Sequence, residues 1–208
     1  FTALLMMASL MPSSAFAGEG NFSGNLLKVT TAADFRAGIL TGLEVREDVG
    51  NGALVLAEGE TEGTFVSAVY SVRAITKMLA SWNAGLKDGT QVEISARARQ
   101  GEDWSDWLSW GPYSPYISRG SEDNKGGALA TLDQDTFTLD SGTADAVQLR
   151  AQVRRDSAEL ASPQLRQINL TFAGGDMTPV YAEQLGARAG ILALLGNIHL
   201  LVYGLAIA

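Results

Sequence analysis

Several short segments of this chain alternate strictly between apolar and polar side chains. The clearest alternation covers residues 90–99, and the same period of two recurs over residues 147–154 and 167–172. In the first segment the apolar members are Val92, Ile94, Ala96 and Ala98. Successive side chains of a β-strand point to opposite faces, so each segment is predicted to be a strand with one buried and one solvated face. Such strands are typical of antiparallel sheets.

The remaining strand signals are spread along the chain and are separated by turn-forming residues. We predict further strands over residues 53–57, 64–72, 78–83, 104–110 and 136–139. Turns rich in glycine, asparagine and aspartate lie at residues 87–89, 100–103 and 124–127. Only residues 32–40 have a helical pattern, and that pattern is brief. Many short strands at regular spacing predict an all-β fold, an antiparallel β-sandwich with a jelly-roll-like arrangement.

Apolar segments occur at both ends of the chain, and the first resembles a targeting signal. Residues 1–17 run from an apolar stretch through Pro12 and two serines to Ala15-Phe16-Ala17. This is the pattern of the later part of a secretory signal peptide with small residues at its cleavage site. The alternative interpretation is a buried first strand or helix.

The second apolar segment covers residues 190–208 and has no formal charge. Its length is close to the roughly 20 residues of a membrane-spanning helix, but Asn197 and His199 near its middle are costly in hydrocarbon. It is interpreted as a membrane anchor or as the product of a shifted reading frame, with a buried terminal helix as a third alternative. The predicted organisation is a signal-peptide remnant (1–17), a β-sandwich (18–173), a linker (174–189) and this apolar tail.

The residue content excludes several kinds of catalytic site. The chain has no cysteine, and its one histidine, His199, lies in the apolar tail. Cysteine nucleophiles, disulfides, cysteine zinc sites and Ser-His-Asp chemistry are therefore excluded from the predicted sandwich. The net charge of −8 argues against a nucleic-acid partner and against an anionic membrane surface. An exported chain without disulfides is typical of secreted or surface-held bacterial proteins.

The four tryptophans lie close together in the middle of the chain. If residues 104–110 form one continuous strand, Trp104 and Trp110 share a face and Trp107 points the opposite way. We therefore expect Trp82, Trp104 and Trp110 to fill the core, where large aromatic side chains contribute most. Trp107 is expected on the polar face.

Four arginines occupy polar positions on two of the predicted strands, and with Trp107 they form the candidate binding site. They are Arg97, Arg99, Arg150 and Arg154. Two roles for Trp107 remain open: a structural stack in which an arginine covers the indole, or a platform on which a sugar ring stacks. The arginine stripe itself suits an anionic partner, or is the solvated face of a sheet.

Carboxylates cluster in the predicted loops, where acidic residues are commonly solvated turn residues. Asp123, Asp133 and Asp135 are candidate ligands of a structural calcium ion through their oxygen atoms, although their spacing does not match the EF-hand pattern. No other cofactor is predicted. A glycoside hydrolase that uses two carboxylates is the enzymatic alternative.

Residues 66–172 resemble a known family, and the resemblance rests on three segments. They are SAVYSV, LASWNAGLKDGTQVEISARARQGEDWSDWLSWGPYS and DTFTLDSGTADAVQLRAQVRRDSAELASPQLRQINLTF. The elements ASWNA, VEISARAR and WSDW are specific in combination. In this order the segments resemble the N-terminal β-sandwich region of secreted bacterial proteins whose C-terminal half is a papain-like cysteine peptidase of the bacteriocin-processing (double-glycine) type.

The resemblance implies an accessory domain without an activity of its own. In that family a linker leads into a domain with a catalytic cysteine and a later histidine. Here residues 178–184 begin like such a linker but no cysteine follows, so no catalytic residue is carried over.

The function we predict is therefore that of a non-catalytic accessory or binding domain of a secreted or surface-held bacterial peptidase-like protein. Its expected partner is a cell-wall glycan or a surface protein. The alternatives are a stand-alone carbohydrate-binding module, and a surface protein tethered to a membrane only through residues 190–208.

Overall fold

The structure, a computed structural model, describes residues 21–23, 25–118, 120–122 and 125–174. The signal-peptide prediction, the linker beyond residue 174 and the apolar tail lie outside the described residues, as does Asp123. Within the described part of the chain, no helix is both long enough and apolar enough to span a membrane.

The described elements are sixteen strands and one short helix. In chain order the first nine are β1 (Asn21–Ser23), β2 (Leu26–Val29), α1 (Ala32–Arg36), β3 (Ile39–Thr41), β4 (Leu43–Arg46), β5 (Ala53–Leu56), β6 (Glu62–Val66), β7 (Tyr70–Ile75) and β8 (Lys77–Gly85). The others are β9 (Thr90–Gln100), β10 (Asp103–Trp104), β11 (Leu108–Tyr113), β12 (Lys125–Gly127), β13 (Ala130–Asp133), β14 (Thr136–Leu139), β15 (Ala144–Arg155) and β16 (Gln164–Ala173).

The strands form two antiparallel sheets, which confirms the predicted β-sandwich. Sheet I has the order β1-β2-β16-β8-β14-β13-β12, and β5 joins it beside β16 with β4 beside β5. Sheet II has the order β10-β9-β15-β6-β3, with β11 also beside β9 and β7 also beside β15. The central neighbours β9 and β15, like β8 and β16, are distant in sequence, so long connections cross between the sheets as in a jelly roll.

The pairing of β9 with β15 places the predicted alternation in register across two strands. Val92 lies opposite Val153, and Ala96 lies opposite Leu149, with all four side chains fully buried. They meet buried side chains of sheet I, including Ile168, in one continuous core. Apolar residues at every second position therefore form the inner face of sheet II, as the sequence predicted.

The helix is shorter than the predicted span of residues 32–40. It begins with a capping box, in which Asp34 N donates to Thr31 Oγ1 and the Asp34 carboxylate accepts from Thr31 N. It ends at Arg36 because the chain then passes close against sheet II: a Cβ on Gly38 would lie 2.4 Å from the Phe65 ring. The following residues instead form β3, which pairs with β6.

The predicted strand over residues 64–72 is two strands, because one residue interrupts the pairing with β15. Ser67 N donates to Leu149 O at 2.9 Å, while Ser67 Oγ accepts from Leu149 N at 2.9 Å. The side-chain oxygen thus takes a place that a backbone carbonyl would hold in a regular ladder. The strand β6 ends before this residue and β7 begins after it.

Two isoleucines on sheet II test where the core lies. Ile94 is fully buried, whereas Ile39 on the edge strand is 69% exposed. We expect Ile94→Ala to lower the free energy of unfolding by about 2–5 kcal/mol, since it leaves a cavity. The matched control Ile39→Ala is expected to change it by less than about 0.5 kcal/mol. Urea unfolding of both variants measures this, and equal losses would contradict the assignment of the inner face.

A buried tyrosine makes stability depend on pH in the alkaline range. Burial, and to a smaller extent the charge of Asp34, raises the pKa of Tyr70 to about 12. The unfolded chain releases this proton near pH 10. The folded state therefore holds the proton more tightly, so this contribution to stability is complete below about pH 10 and is lost as the pH rises through about 12.

We expect Tyr70→Phe to remove that part of the alkaline loss of stability. Urea unfolding near pH 9 and near pH 11.5 measures the difference. An unchanged difference between the two pH values in Tyr70→Phe would show that other groups cause the loss.

Candidate functional site

The candidate site lies on the outer face of sheet II, on the side of β9 and β15 that points away from the core. The register sets Arg97 opposite Gln148 and Arg150 opposite Ser95. Residues that pair directly across two strands share a face, and Arg99 shares it too because it is two residues from Arg97. We call the surface formed by Arg97, Arg99, Trp104, Trp107 and Arg150 the arginine–tryptophan face.

A tight turn puts Trp104 on this face rather than in the core. Residues 101 and 102 connect β9 to β10, with Gly101 at a φ of 62°. The turn pairs Trp104 with Arg99, so the two side chains lie on the same face. The prediction that Trp104 joins Trp110 in the core is therefore wrong.

The two tryptophans differ in face because the strand predicted over residues 104–110 is interrupted. Ser105 N donates to Ala98 O at 2.8 Å and Ser105 Oγ accepts from Ala98 N at 3.0 Å, whereas Leu108 pairs with Ala96. Three steps along this segment therefore match two steps along β9, which is a β-bulge. The extra residue reverses the side of the sheet to which every second side chain points.

The five residues of the arginine–tryptophan face touch one another in sequence across the surface. The guanidinium carbon of Arg99 lies 5.7 Å from the ring centre of Trp104, and that of Arg97 lies 4.4 Å from the same centre. Arg97 also lies 4.7 Å from the ring centre of Trp107, and Arg150 lies 4.9 Å from it. The cation–π stack that was the structural alternative for Trp107 is therefore present.

The arginines fall into two groups by the charge of their partners. Arg99 Nε donates to the Asp145 carboxylate at 2.8 Å, and Arg154 forms an exposed ion pair with Glu62 at 3.0 Å. Arg154 lies opposite Gln91, toward the far end of the strand pair, and is not part of the stack. Of the four predicted arginines, the structure thus brings three together with Trp107.

Within the described part of the chain, the hydrogen-bond acceptors of Arg97 and Arg150 are neutral. Arg97 Nε and Nη2 donate to Gln148 Oε1 at 3.0 and 2.6 Å, and Gln148 is itself held by a bond to Ser67 O. Arg150 Nη2 donates to Ser95 Oγ at 3.3 Å. Neither arginine forms an ion pair with a carboxylate among the described residues.

Two observations show that this arrangement is electrostatically costly. Burial, and then the charge of Arg150, lower the pKa of Arg97 below its ordinary value. Arg150 Nε is buried and has no hydrogen-bond acceptor within the described part of the chain. Two like charges are thus held together, and none of the described carboxylates neutralises them.

The other two tryptophans have structural roles. Trp110 is fully buried and donates from Nε1 to Asp135 O at 2.7 Å, as its expected place in the core requires. Trp82 is half-buried, packs on the core, and meets the ring of Tyr113 edge-on at 5.7 Å.

Two of the three candidate calcium ligands, Asp133 and Asp135, lie at the turn between β13 and β14. Asp133 is exposed, whereas Asp135 Oδ1 accepts from Glu122 N at 2.9 Å and so helps to form the turn. No group of three or more acidic, histidine or cysteine side chains suited to a metal ion occurs among the described residues, and Asp123 lies outside them. The calcium site stays a prediction.

The residues that bond to the arginines were not predicted from the sequence. The acceptors of the three arginines are Gln148, Ser95 and Asp145, and each lies on the strand paired with that of its arginine. Trp104 was assigned to the wrong face. The turn at Gly101 carried a usable signal, because a two-residue connection between strands fixes which residues pair on either side of it.

The stack is testable by double-mutant cycles. We expect a coupling free energy of about 0.5–2 kcal/mol between Arg97 and Trp107, from the variants Arg97→Gln, Trp107→Leu and their combination. The matched cycle between Arg99 and Trp104, whose separation is 1 Å greater (5.7 against 4.7 Å), should give a smaller value. Urea unfolding measures both coupling energies. A coupling of zero for the first pair would show that the contact between Arg97 and Trp107 does not stabilise the fold.

Comparison with solved structures gives distant similarities. TmCBM61, solved in complex with β-1,4-galactotriose, is 7% identical with a TM-score of 0.42, over 67% of this chain and 91% of that one. The C-terminal CBM6 of LamC, a marine laminarinase from Zobellia galactanivorans, is 13% identical with a TM-score of 0.38, over 71% and 99%. No curated protein matches the chain.

One family model accounts for most of the chain. The model described as the peptidase C39 N-terminal domain matches residues 25–173, which span the sandwich from before β2 to the end of β16. This match includes the three segments on which the sequence resemblance rests. The chain therefore belongs to the peptidase C39 N-terminal domain family.

Proposed function

We propose that this chain is the non-catalytic accessory domain of a secreted bacterial peptidase-like protein, and that it holds that protein at a surface glycan through the arginine–tryptophan face. The family to which it belongs is an N-terminal domain of peptidases and not their catalytic domain. The absence of cysteine from the chain agrees with this, because a papain-like peptidase needs a cysteine thiolate.

The proposal rests on two arginines, Arg97 and Arg150, that have no carboxylate partner among the described residues. A solvated sheet face ordinarily mixes charges of both signs, and the pairs Arg99–Asp145 and Arg154–Glu62 follow that rule. Arg97 and Arg150 do not, although Trp107 holds both in fixed positions. Donors that are already ordered lose little conformational entropy when a ligand binds, so this part of the face is suited to recognition.

The position of the face within the sheet favours a glycan over a peptide. The strands β9 and β15 have paired neighbours on both sides, so their backbone groups are used within the sheet. Extended peptides are commonly bound by backbone pairing at a free sheet edge. A ligand on this face meets side chains alone, and the hydroxyl groups of a sugar pair well with guanidinium and amide groups.

In this proposal Trp107 orients the arginines instead of serving as the bare sugar platform. Two guanidinium groups lie within 5 Å of its ring centre, so a sugar approaching the face meets polar N–H groups beside the indole. A stand-alone carbohydrate-binding module would use the same surface, and the two alternatives differ only in whether a peptidase domain accompanies it.

Affinity electrophoresis tests the proposal. The chain is run through native gels that contain a panel of neutral and carboxylated polysaccharides, and retardation is measured. We expect at least one glycan to retard the chain and Arg150→Gln to weaken that retention about tenfold or more, since a charge-assisted hydrogen bond contributes about 1.5–3 kcal/mol.

The matched control is Arg154→Gln, which removes an arginine from the same face outside the stack and should leave retention unchanged. Thermal unfolding of both variants confirms that they are folded. No retardation by any glycan, or equal retention of the two variants, would contradict the proposal.

A further inference from the structure

We infer that the ligand of the arginine–tryptophan face is an acidic glycan, and that Arg97 and Arg150 bind the carboxylate groups of its uronic-acid residues. This inference rests on the proposed function and adds the chemistry of the bound group. A neutral glycan would satisfy the proposed function alone.

Arg97 and Arg150 have N–H groups that the described residues leave without an acceptor. Each guanidinium carries five N–H groups in a planar fork. Arg97 uses Nε and Nη2 on Gln148, and Arg150 uses Nη2 on Ser95, so Nη1 of both has no acceptor within the described part of the chain. These Nη1 atoms are not among the fully buried unpaired polar atoms, so they keep some exposed surface.

No carboxylate of the described face forms an ion pair with Arg97 or Arg150. Asp145 accepts from Arg99 Nε and from Gly101 N. Glu93 accepts from Ser109 Oγ, and Glu62 pairs with Arg154. The acidic side chains of the described face bond to other donors, and none of them neutralises Arg97 or Arg150, in a chain whose net charge is −8.

The geometry of the guanidinium N–H donors matches that of a carboxylate. A guanidinium presents parallel N–H bonds in one plane, and the two oxygens of a carboxylate accept both of them. An anionic group placed there neutralises the repulsion between the two arginines that burial makes stronger. A neutral hydroxyl supplies an acceptor but no charge, so it relieves only part of the cost.

The strands β9 and β15 lie inside sheet II, and this position favours a glycan over a peptide as the polymer that bears the carboxylate. An acidic peptide has the same chemical group, but this face offers it no unpaired backbone with which to form a strand. Sugar carboxylates project from a polymer whose remaining groups are hydroxyls, which side chains alone can bind. The outer face continues beside Arg150 with the paired residues Gln152 and Thr64, whose amide and hydroxyl groups can bond to sugar hydroxyls.

Isothermal titration calorimetry with the full chain tests the inference. The probes are oligogalacturonate, the same oligomer with every carboxylate methyl-esterified, and an oligoglutamate peptide of similar charge, all at physiological salt. We expect oligogalacturonate to bind, and the esterified form and the peptide to bind at least about tenfold more weakly. This comparison uses the wild-type chain and so does not depend on the folding of any variant.

The variants Arg150→Lys and Arg154→Lys add a matched test of the planar fork. Lysine keeps the charge but loses the bidentate geometry, so Arg150→Lys should weaken oligogalacturonate binding about tenfold and Arg154→Lys should not.

Each alternative outcome has a separate meaning. Equal binding of the free and esterified oligomers would overturn the carboxylate assignment and leave the proposed glycan-binding function intact. Equal or tighter binding of oligoglutamate would overturn the choice of a glycan. Retention of a neutral polysaccharide in the gels together with no binding of oligogalacturonate would overturn this inference alone, whereas no binding to any glycan would remove the proposed function with it.

Discussion

The pairing of β9 with β15 is the interaction on which the rest of the structure depends. Its register places apolar side chains of both strands on the inner face, where they meet sheet I in the core. The same register places Arg97, Arg150 and their neutral acceptors on the outer face. A shift of one residue would exchange the two faces, so burial of the core also fixes the position of the candidate site.

A second constraint is the β-bulge between Ser105 and Leu108. Without the extra residue, Trp104 and Trp110 would share a face, as a regular strand requires. With it, Trp110 fills the core while Trp104 stacks on Arg97 at the surface. Bulges often redirect side chains at functional surfaces, and here the bulge supplies the second aromatic ring of the arginine–tryptophan face.

The arginine–tryptophan face contains both the cation–π stack and the proposed binding site in one set of residues. Trp107 holds two guanidinium groups by cation–π contact, which stabilises the fold and also keeps two like charges close together. That arrangement is unfavourable in two respects. The pKa of Arg97 is lowered by burial and by the charge of Arg150, and Arg150 Nε is buried with no acceptor among the described residues. Such a cost is consistent with a binding role in an accessory domain, because functional sites commonly retain groups that the fold alone does not satisfy.

The amino-acid sequence by itself determined the all-β class, the inner and outer residues of β9 and β15, and the position of Trp107 on the outer face among arginines. These features follow from the sequence because successive side chains of a strand point to opposite faces, so the face of each residue depends only on its immediate neighbours. Only the tertiary structure decided the face of Trp104, the end of the helix at Arg36 and the partners of each arginine. Asp145 neutralises Arg99 and no carboxylate of the described residues neutralises Arg97, although the two arginines are two positions apart on one strand. That difference comes from side chains on a strand far away in sequence, and only the folded chain brings them within hydrogen-bonding distance.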